Sequence, residues 1–103
     1  MKVVEFVILL GPEDRYRHRH RRIGGRVVEF AVQYEIRLGG EWLPVVRYDT
    51  AHGFAHRDLF REKRESVKTP LGMMDLNMAL TFAESDLKTN WRWYRQQYRG
   101  DRS

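Results

Sequence analysis

The segment from Arg47 to Asp58 carries the densest group of side chains that could do chemistry. It reads Arg-Tyr-Asp-Thr-Ala-His-Gly-Phe-Ala-His-Arg-Asp and follows a predicted strand, a position where functional side chains often lie. Cleavage of RNA by internal transesterification needs a base for the 2′-hydroxyl, an acid for the departing 5′-oxygen and cations for the phosphorane. Histidine titrates near neutral pH and arginine binds phosphate, so the segment holds each required group.

We therefore predict six catalytic residues in this segment: His52, His56, Arg47, Asp49, Arg57 and Tyr48. The two histidines would serve as base and acid in either order, and the two arginines would hold the phosphate. The aspartate, or Asp58 after it, would orient a histidine. The tyrosine would act as an acid or stack on a base.

Two other interpretations of the same segment stay open. Asp49 and Arg57 could form a structural ion pair while the histidines cap or line a turn. Alternatively, His52 and His56, four residues apart, could share a helical face and bind a metal with one of the aspartates. Gly53 weakens the helix that this arrangement needs, and the glutamate of the metalloprotease motif is absent. The glycine pairs of the chain also lack nucleotide-binding fingerprints, so no nucleotide cofactor is predicted. Our preferred prediction is a site that uses neither a metal nor a cofactor, with the metal site as the alternative.

A second candidate site is the arginine-rich tract that follows Glu13 and Asp14. Six arginines occur from Arg15 to Arg26 with no acidic residue among them, and we predict a basic loop over residues 15–25. Such a loop suits phosphate or an acidic protein, with a merely solvated loop as the alternative. The polar face of the predicted sheet carries Glu29 and Glu35 and is a poor platform, so nucleic acid is expected at the loops. The predicted nucleic-acid-binding residues are Arg15, Arg17, Arg19, Arg21, Arg22, His18 and His20.

The composition limits where the protein works and what it binds. The net charge is +5, and fifteen of the nineteen basic residues are arginine, whose planar guanidinium suits bidentate phosphate contacts. High genomic GC content or thermophily would enrich arginine equally well. The absence of cysteine excludes disulfides and thiolate sites and favours a reducing compartment, so we predict a cytoplasmic protein. The apolar run from Val3 to Leu10 is too short to span a membrane.

Three elements must position these residues: a β-hairpin, an N-terminal strand and a helix. The clearest strand belongs to the hairpin and runs from Val27 to Leu38, where large apolar residues alternate with polar residues and Ala31. Gly39-Gly40 predicts a tight hairpin, and Glu41 to Asp49 is the return strand. A two-residue loop pairs Ile36 with Leu43 and Tyr34 with Val45, which carries Arg47 and Asp49 onto the apolar face; a longer loop reverses this. The run from Val3 to Leu10 predicts a mostly buried, central strand, and Thr50 to Lys68 reads as loop.

The third element is a long amphipathic helix from about Met73 to Tyr98. Its apolar residues recur at three- and four-residue spacing. We predict a single domain over residues 1–103 with a frayed tail at 99–103. Its fold class is α+β, with two layers: a small antiparallel sheet, made of the hairpin and the N-terminal strand, packed by the helix. One helix covers only part of such a sheet, so we expect a homodimer through the aromatic helix end: Trp91, Trp93, Tyr94 and Tyr98.

The string Arg47-Tyr48-Asp49-Thr50-Ala51-His52-Gly53-Phe54-Ala55-His56-Arg57-Asp58 resembles small prokaryotic domains of unknown function. The Arg-Tyr-Asp strand end before a histidine-bearing loop is also similar to the TumE-type toxin family, small basic proteins encoded beside a helix-turn-helix antitoxin. That family clusters more histidines after this point than the present chain. The resemblance implies an RNA target and a neutralising antitoxin-like protein partner.

The basic charge and the segment from Arg47 to Asp58 predict an RNA-directed protein that acts as a metal-independent ribonuclease, and the resemblance implies that it is the toxin of a toxin–antitoxin pair. The alternatives are a non-enzymatic module that binds nucleic acid or protein, and a dimeric accessory protein.

Overall fold

The fold is one antiparallel sheet covered on one face by a C-terminal helix. The computed structural model describes residues 1–51, 53–61, 66–72 and 75–100. Six strands follow each other in the sheet in chain order. The elements are β1 (Lys2–Gly11), β2 (Asp14–Ile23), β3 (Arg26–Leu38), β4 (Glu41–Asp49), β5 (His56–Phe60), β6 (Ser66–Pro70) and α1 (Leu76–Tyr98). The predicted α+β class is confirmed, but the sheet has six strands rather than two or three.

The strand predicted from alternation is β3, at the centre of the sheet. Phe30, Val32, Tyr34 and Ile36 are buried beneath the helix. The predicted hairpin is also confirmed, because Gly39 and Gly40 both adopt positive φ angles, 58° and 81°, which a two-residue turn requires and other residues resist. We call the face of the sheet that packs against α1 the inner face and the opposite one the outer face.

The prediction of a basic loop over residues 15–25 is wrong, because this segment is β2 followed by a glycine turn. β2 pairs with β1 on one side and with β3 on the other. Its residues alternate, so Tyr16, His18 and His20 are buried on the inner face while arginines fill the outer face. The apolar faces of tyrosine and histidine therefore take the place of aliphatic residues in this strand.

The N-terminal run is a strand, but its predicted central position is wrong. β1 lies at the edge of the sheet and pairs only with β2 among the described residues. Val3, Val7 and Leu9 are exposed. Burial was inferred from hydrophobicity alone, whereas the position of the strand is decided by which neighbours are present.

The predicted loop from Thr50 to Lys68 contains β5 and the first part of β6, so this prediction is also wrong. The five residues of β5 pair with β4 on one side and with β6 on the other. Short strands rich in charged residues give little periodic signal. Residues 52 and 62–65, within the same segment, lie outside the described residues.

A bulge decides which side chains of β4 face the helix. Ile36 pairs with Leu43 as predicted, but the register then shifts, so Tyr34 pairs with Val46 instead of Val45. The shift follows Pro44, which has no N–H to donate to the ladder. As a result Tyr48 points to the inner face, and the prediction that Arg47 and Asp49 share the apolar face is wrong.

The helix begins at Leu76 rather than at about residue 73, and Met73 and Met74 lie outside the described residues. Asp75 caps it, since its carboxylate accepts the backbone N–H of Met78 at 3.2 Å. The predicted apolar stripe is confirmed by the buried helix residues: Ala79, Leu80, Ala83, Leu87, Trp91, Tyr94 and Tyr98.

The aromatic end of the helix is mostly part of the core. Trp91, Tyr94 and Tyr98 are buried, whereas Trp93 is 56% exposed. Of these four residues only Trp93 is thus available to the predicted homodimer, which stays a prediction. In the part of the chain that the structure describes, no helix is both long and apolar enough to cross a membrane.

Candidate functional site

The sheet separates the predicted catalytic residues onto its two faces. Arg47, Asp49 and His56 lie on the outer face, since Asp49 pairs with His56 and Arg47 with Asp58 across the β4–β5 ladder. Tyr48 and Arg57, which pair with each other, point to the inner face. His52 lies outside the described residues. The structure therefore does not bring the described members of the set into one site.

On the outer face, His56 lies between two carboxylates. Its Nε2 is 3.0 Å from Asp49 Oδ1 and 3.6 Å from Asp58 Oδ2, so Asp49 is placed to orient it. Potential ligand atoms of these three residues lie within 4.8 Å of one another, as a metal site would require. The Lys68 ammonium, however, is 3.0 Å from Asp58 Oδ1 and already balances one of the negative charges. The side chain of His56 is only 1% exposed, which suits a structural ion-pair network.

On the inner face, Arg57 and Tyr48 belong to a polar network that fixes the helix. Arg57 donates to the Tyr94 hydroxyl at 3.3 Å. Tyr48 and Tyr94 both donate to Asp86 Oδ2, at 2.7 and 2.5 Å. Burial, with the Asp86 bond next, raises the pKa of both tyrosines. The suggested ion pair between Asp49 and Arg57 is thus wrong, because the two side chains are on opposite faces.

The outer face of β2 is a row of four arginines beside the acidic residues of β3. Arg15 and Arg17 lie 2.5 and 3.7 Å from Glu35. Arg21 and Arg19 lie 2.9 and 3.8 Å from Glu29. The bond with Arg21 is the main cause that lowers the pKa of Glu29. Two glutamates thus face four arginines, so the polar face of the sheet is more basic than β3 alone suggested.

A depression with a volume of about 400 Å³ lies on this face, and Ala31 is among its lining residues. Arg17, Arg19, Arg47 and Gln33 also line it, and Glu5 is its only acidic lining residue among the described residues. Gln33 accepts from Arg47 Nε at 2.6 Å and bonds to Glu35. We name this depression, lined by Glu5, Arg17, Arg19, Ala31, Gln33 and Arg47 among others, the Ala31 depression. Ala31 and Gln33 were not predicted as site residues; their signal is the alternation of β3, which places them beside β2.

The inner face of β2 carries a continuous chain of hydrogen bonds. The Tyr16 hydroxyl is 2.7 Å from His18 Nδ1, and His18 Nε2 is 2.6 Å from His20 Nδ1. Arg22 Nε donates to His20 Nε2 at 3.1 Å. His18 and His20 are therefore separated from the arginines with which they were grouped, apart from Arg22, and face α1 instead of the outer surface.

The surroundings of His18 and His20, the two histidines in this chain of hydrogen bonds, favour the neutral form of each ring. Burial is the largest cause that lowers the pKa of His18, and neighbouring positive groups lower it further against the opposing charge of Glu84. Burial and then Arg22 lower the pKa of His20. Because the unfolded chain binds protons at the ordinary histidine pKa, protons favour the unfolded state at acidic pH.

Stability should therefore fall as the pH drops below about 6.5, the ordinary pKa of histidine. The loss should amount to about 1.4 kcal/mol for each unit by which a histidine pKa is lowered. Urea titrations between pH 7.5 and 5.5 measure it, and a His20→Gln variant should show a shallower dependence. A variant with the same pH dependence as the wild type would contradict this assignment to His20.

A further cavity lies between the β1–β2 turn and the end of α1. Its volume is about 1160 Å³, and Trp91, Arg92 and Arg95 are among its lining residues. Asp14, the buried acid there, accepts the Tyr34 hydroxyl at 2.5 Å and lies 3.3 Å from Arg95 Nε. These contacts connect β2, β3 and the helix, so Asp14 has a structural role.

Comparison with protein families shows a match that covers the whole chain. The model described as "Domain of unknown function (DUF7718)" matches residues 1–103, so the chain belongs to this family. Comparisons with curated proteins and with solved structures gave no match. Membership agrees with the predicted resemblance to small domains of unknown function, while similarity to TumE-type toxins stays a prediction.

Proposed function

We propose that this member of a family of unknown function binds RNA through the outer face of its sheet. The observation that carries the proposal is the Ala31 depression, where three arginines from β2 and β4 surround a small residue. Arg17 and Arg19 are 49% and 48% exposed and lie no closer than 3.7 Å to their glutamates. Their guanidinium groups are therefore available to phosphate oxygens.

The geometry favours an extended single strand over a duplex. Residues two apart on a strand are separated by about 6.7 Å, similar to the spacing of successive phosphates in an extended nucleic acid. Single-stranded RNA also leaves its bases free to stack on arginine planes. Two arginines of this face already stack on aromatic rings: Arg15 over Trp42 at 4.2 Å, and Arg47, which lines the depression, over Phe60 at 5.2 Å.

An Arg17→Ala/Arg19→Ala variant should bind single-stranded RNA more weakly than the wild type, with the difference largest at low salt. Each lost phosphate contact should reduce the slope of log K against log salt by about 0.7, so the pair should reduce it by about 1.4. Fluorescence anisotropy with a labelled oligonucleotide at several salt concentrations measures both quantities.

The matched control is Arg61→Ala/Arg92→Ala, which removes the same charge from exposed positions outside the depression. It should keep the wild-type slope. Equal losses of RNA affinity in both variants would show that binding depends only on net charge. An unchanged salt slope in Arg17→Ala/Arg19→Ala would show that RNA does not bind at the proposed surface.

The toxin and ribonuclease hypotheses can be tested in the same system. Asp49, His56 and Arg47 lie on the outer face, so bound RNA would pass near them. His56 is buried in contact with Asp49 and Asp58, and we expect binding without its direct participation in cleavage. Growth arrest and RNA cleavage on expression, both lost in His52→Ala/His56→Ala when that variant remains folded, would instead support the ribonuclease toxin.

A further inference from the structure

A second polar site lies on the inner face, away from the proposed RNA surface. A cleft of about 420 Å³ opens between β2 and the first half of α1. Its polar lining residues are His18, His20, Arg22, Asn77, Thr81 and Glu84. It shares Phe6 and His18 with the Ala31 depression, but its other lining residues are different and come partly from α1.

The hydrogen-bond chain along this cleft has a fixed direction. Arginine can only donate, so the Arg22 Nε–H requires His20 Nε2 to be an acceptor. Neutral His20 then carries its proton on Nδ1 and donates to His18 Nε2. His18 in turn carries its proton on Nδ1 and donates to the Tyr16 hydroxyl oxygen. The chain of hydrogen bonds thus runs through two neutral imidazoles and ends at the exposed guanidinium of Arg22.

Arg22 is bonded to a neutral ring and has no carboxylate within 4.0 Å among the described residues. Glu84, the acid of the cleft, is 3.1 Å from Lys88 Nζ. Lys2 of β1 contributes a further positive charge near His20. Asn77 uses its side-chain oxygen for the N–H of Val27 at 2.8 Å, which leaves its amide nitrogen as a donor. In and beside the cleft, positive charges and hydrogen-bond donors therefore outnumber the negative charge of Glu84. This excess favours an anionic ligand.

We propose that this cleft binds a phosphate monoester or free phosphate through Arg22, and that binding is coupled to proton uptake by the His18–His20 pair. An oxyanion that takes over the guanidinium releases the lone pair of His20 Nε2. One proton from solvent then binds that nitrogen, and the resulting N–H donates to the phosphate, while Nδ1–H still donates to His18. No other bond changes.

The groups facing the histidines set the sign of this coupling. Arg22, Lys2 and Lys88 disfavour an imidazolium, whereas Glu84 favours it, and Tyr16 accepts at the buried end of the chain. A bound dianion adds negative charge beside His20 and shifts the balance towards protonation. Affinity should therefore rise as the pH falls, by the reciprocity of linked binding. A monoester fits because the helix covers one side of the cleft and a continuous backbone could not pass through.

Isothermal titration calorimetry with inorganic phosphate, sulfate and adenosine 5′-monophosphate tests the proposal on the full chain. Titrations at pH 6.5 and 7.5, each in two buffers of different ionisation enthalpy, report the protons taken up. Sulfate does not titrate in this range, so uptake on sulfate binding belongs to the protein. Tighter binding of the nucleotide than of phosphate would assign a nucleotide end, and equal binding would assign a free anion.

Arg22→Ala should weaken binding by about tenfold or more, as expected for a lost charged hydrogen bond. Arg26→Ala removes an exposed arginine four residues away and should keep wild-type affinity. His20→Gln should still bind the anion but take up fewer protons. Arg17→Ala/Arg19→Ala should leave phosphate binding unchanged, so this proposal and the RNA proposal can fail separately.

Three results would overturn the proposal: no binding of any of the three anions at millimolar concentration, equal losses for Arg22→Ala and Arg26→Ala, or binding without proton uptake. Folding of each variant is checked by its thermal unfolding transition. If Arg22→Ala is unfolded, Arg22→Lys serves instead, since a lysine keeps the charge but loses the Nε–H bond to His20 and should restore only part of the affinity.

Discussion

Replacement of Asp86 by alanine is expected to destabilise the protein by roughly 2–5 kcal/mol, because it leaves two buried hydroxyls without their acceptor. Tyr48 and Tyr94 both donate to Asp86 Oδ2, and Asn90 Nδ2 donates to Oδ1 at 2.7 Å. This carboxylate connects the helix to β4, and through Arg57 to β5. Urea denaturation followed by circular dichroism measures the loss.

Asp86→Asn provides the first control, since it keeps an acceptor oxygen and should lose less stability. Ser85→Ala, at the exposed neighbouring position, should change stability by less than about 0.5 kcal/mol. In a double-mutant cycle, Tyr48→Phe should cost less in the Asp86→Ala background than in the wild type. Equal costs in the two backgrounds would mean that the hydrogen bond contributes nothing to stability.

Leu87→Ala is expected to produce the second large effect, a loss of roughly 2–5 kcal/mol. Leu87 is fully buried in the core beneath the helix, so truncation removes apolar contacts and leaves a cavity. Met78→Ala is the matched control on the same helix, because Met78 is exposed and its truncation should cost little. Denaturation midpoints of the two variants give the comparison. Similar losses would indicate that α1 does not pack as described.

These predictions bear on function because the helix forms one wall of the proposed phosphate cleft. Glu84 and Asn77 reach that cleft from α1, whereas the Ala31 depression is formed by strands alone. Variants that loosen the helix without unfolding the sheet should therefore weaken phosphate binding more than RNA binding.

Elements with strong periodicity could be predicted from the sequence. The alternation of β3 and the three- and four-residue spacing of α1 each reflect one buried side, and such patterns survive in any tertiary setting. The paired glycines at 39 and 40 likewise specify their turn locally. For β2 the same alternation is present, but two of its inward residues, His18 and His20, are histidines, which a hydrophobicity pattern counts as polar.

For the predicted catalytic segment, the sequence could not predict which face of the sheet each side chain takes. Arg47, Tyr48 and Asp49 are adjacent in the chain, and side chains of adjacent strand residues point to opposite faces. Which face each one takes depends on the bulge after Pro44 and on the pairing with β5. The contacts of His56 with Asp49 and Asp58 follow from that register.

The sequence by itself determined the α+β class, the central hairpin, the buried stripe of the helix and the basic charge, because each depends on local periodicity, turn chemistry or composition. Only the tertiary structure decided that β1 lies at an edge, that every arginine of β2 except Arg22 lies on the face opposite its histidines, and that Arg47 joins Arg17 and Arg19 in the depression that Ala31 lines. The physical reason is that the faces of a sheet are set by strand pairing between residues distant in the chain, and a single bulge reverses them.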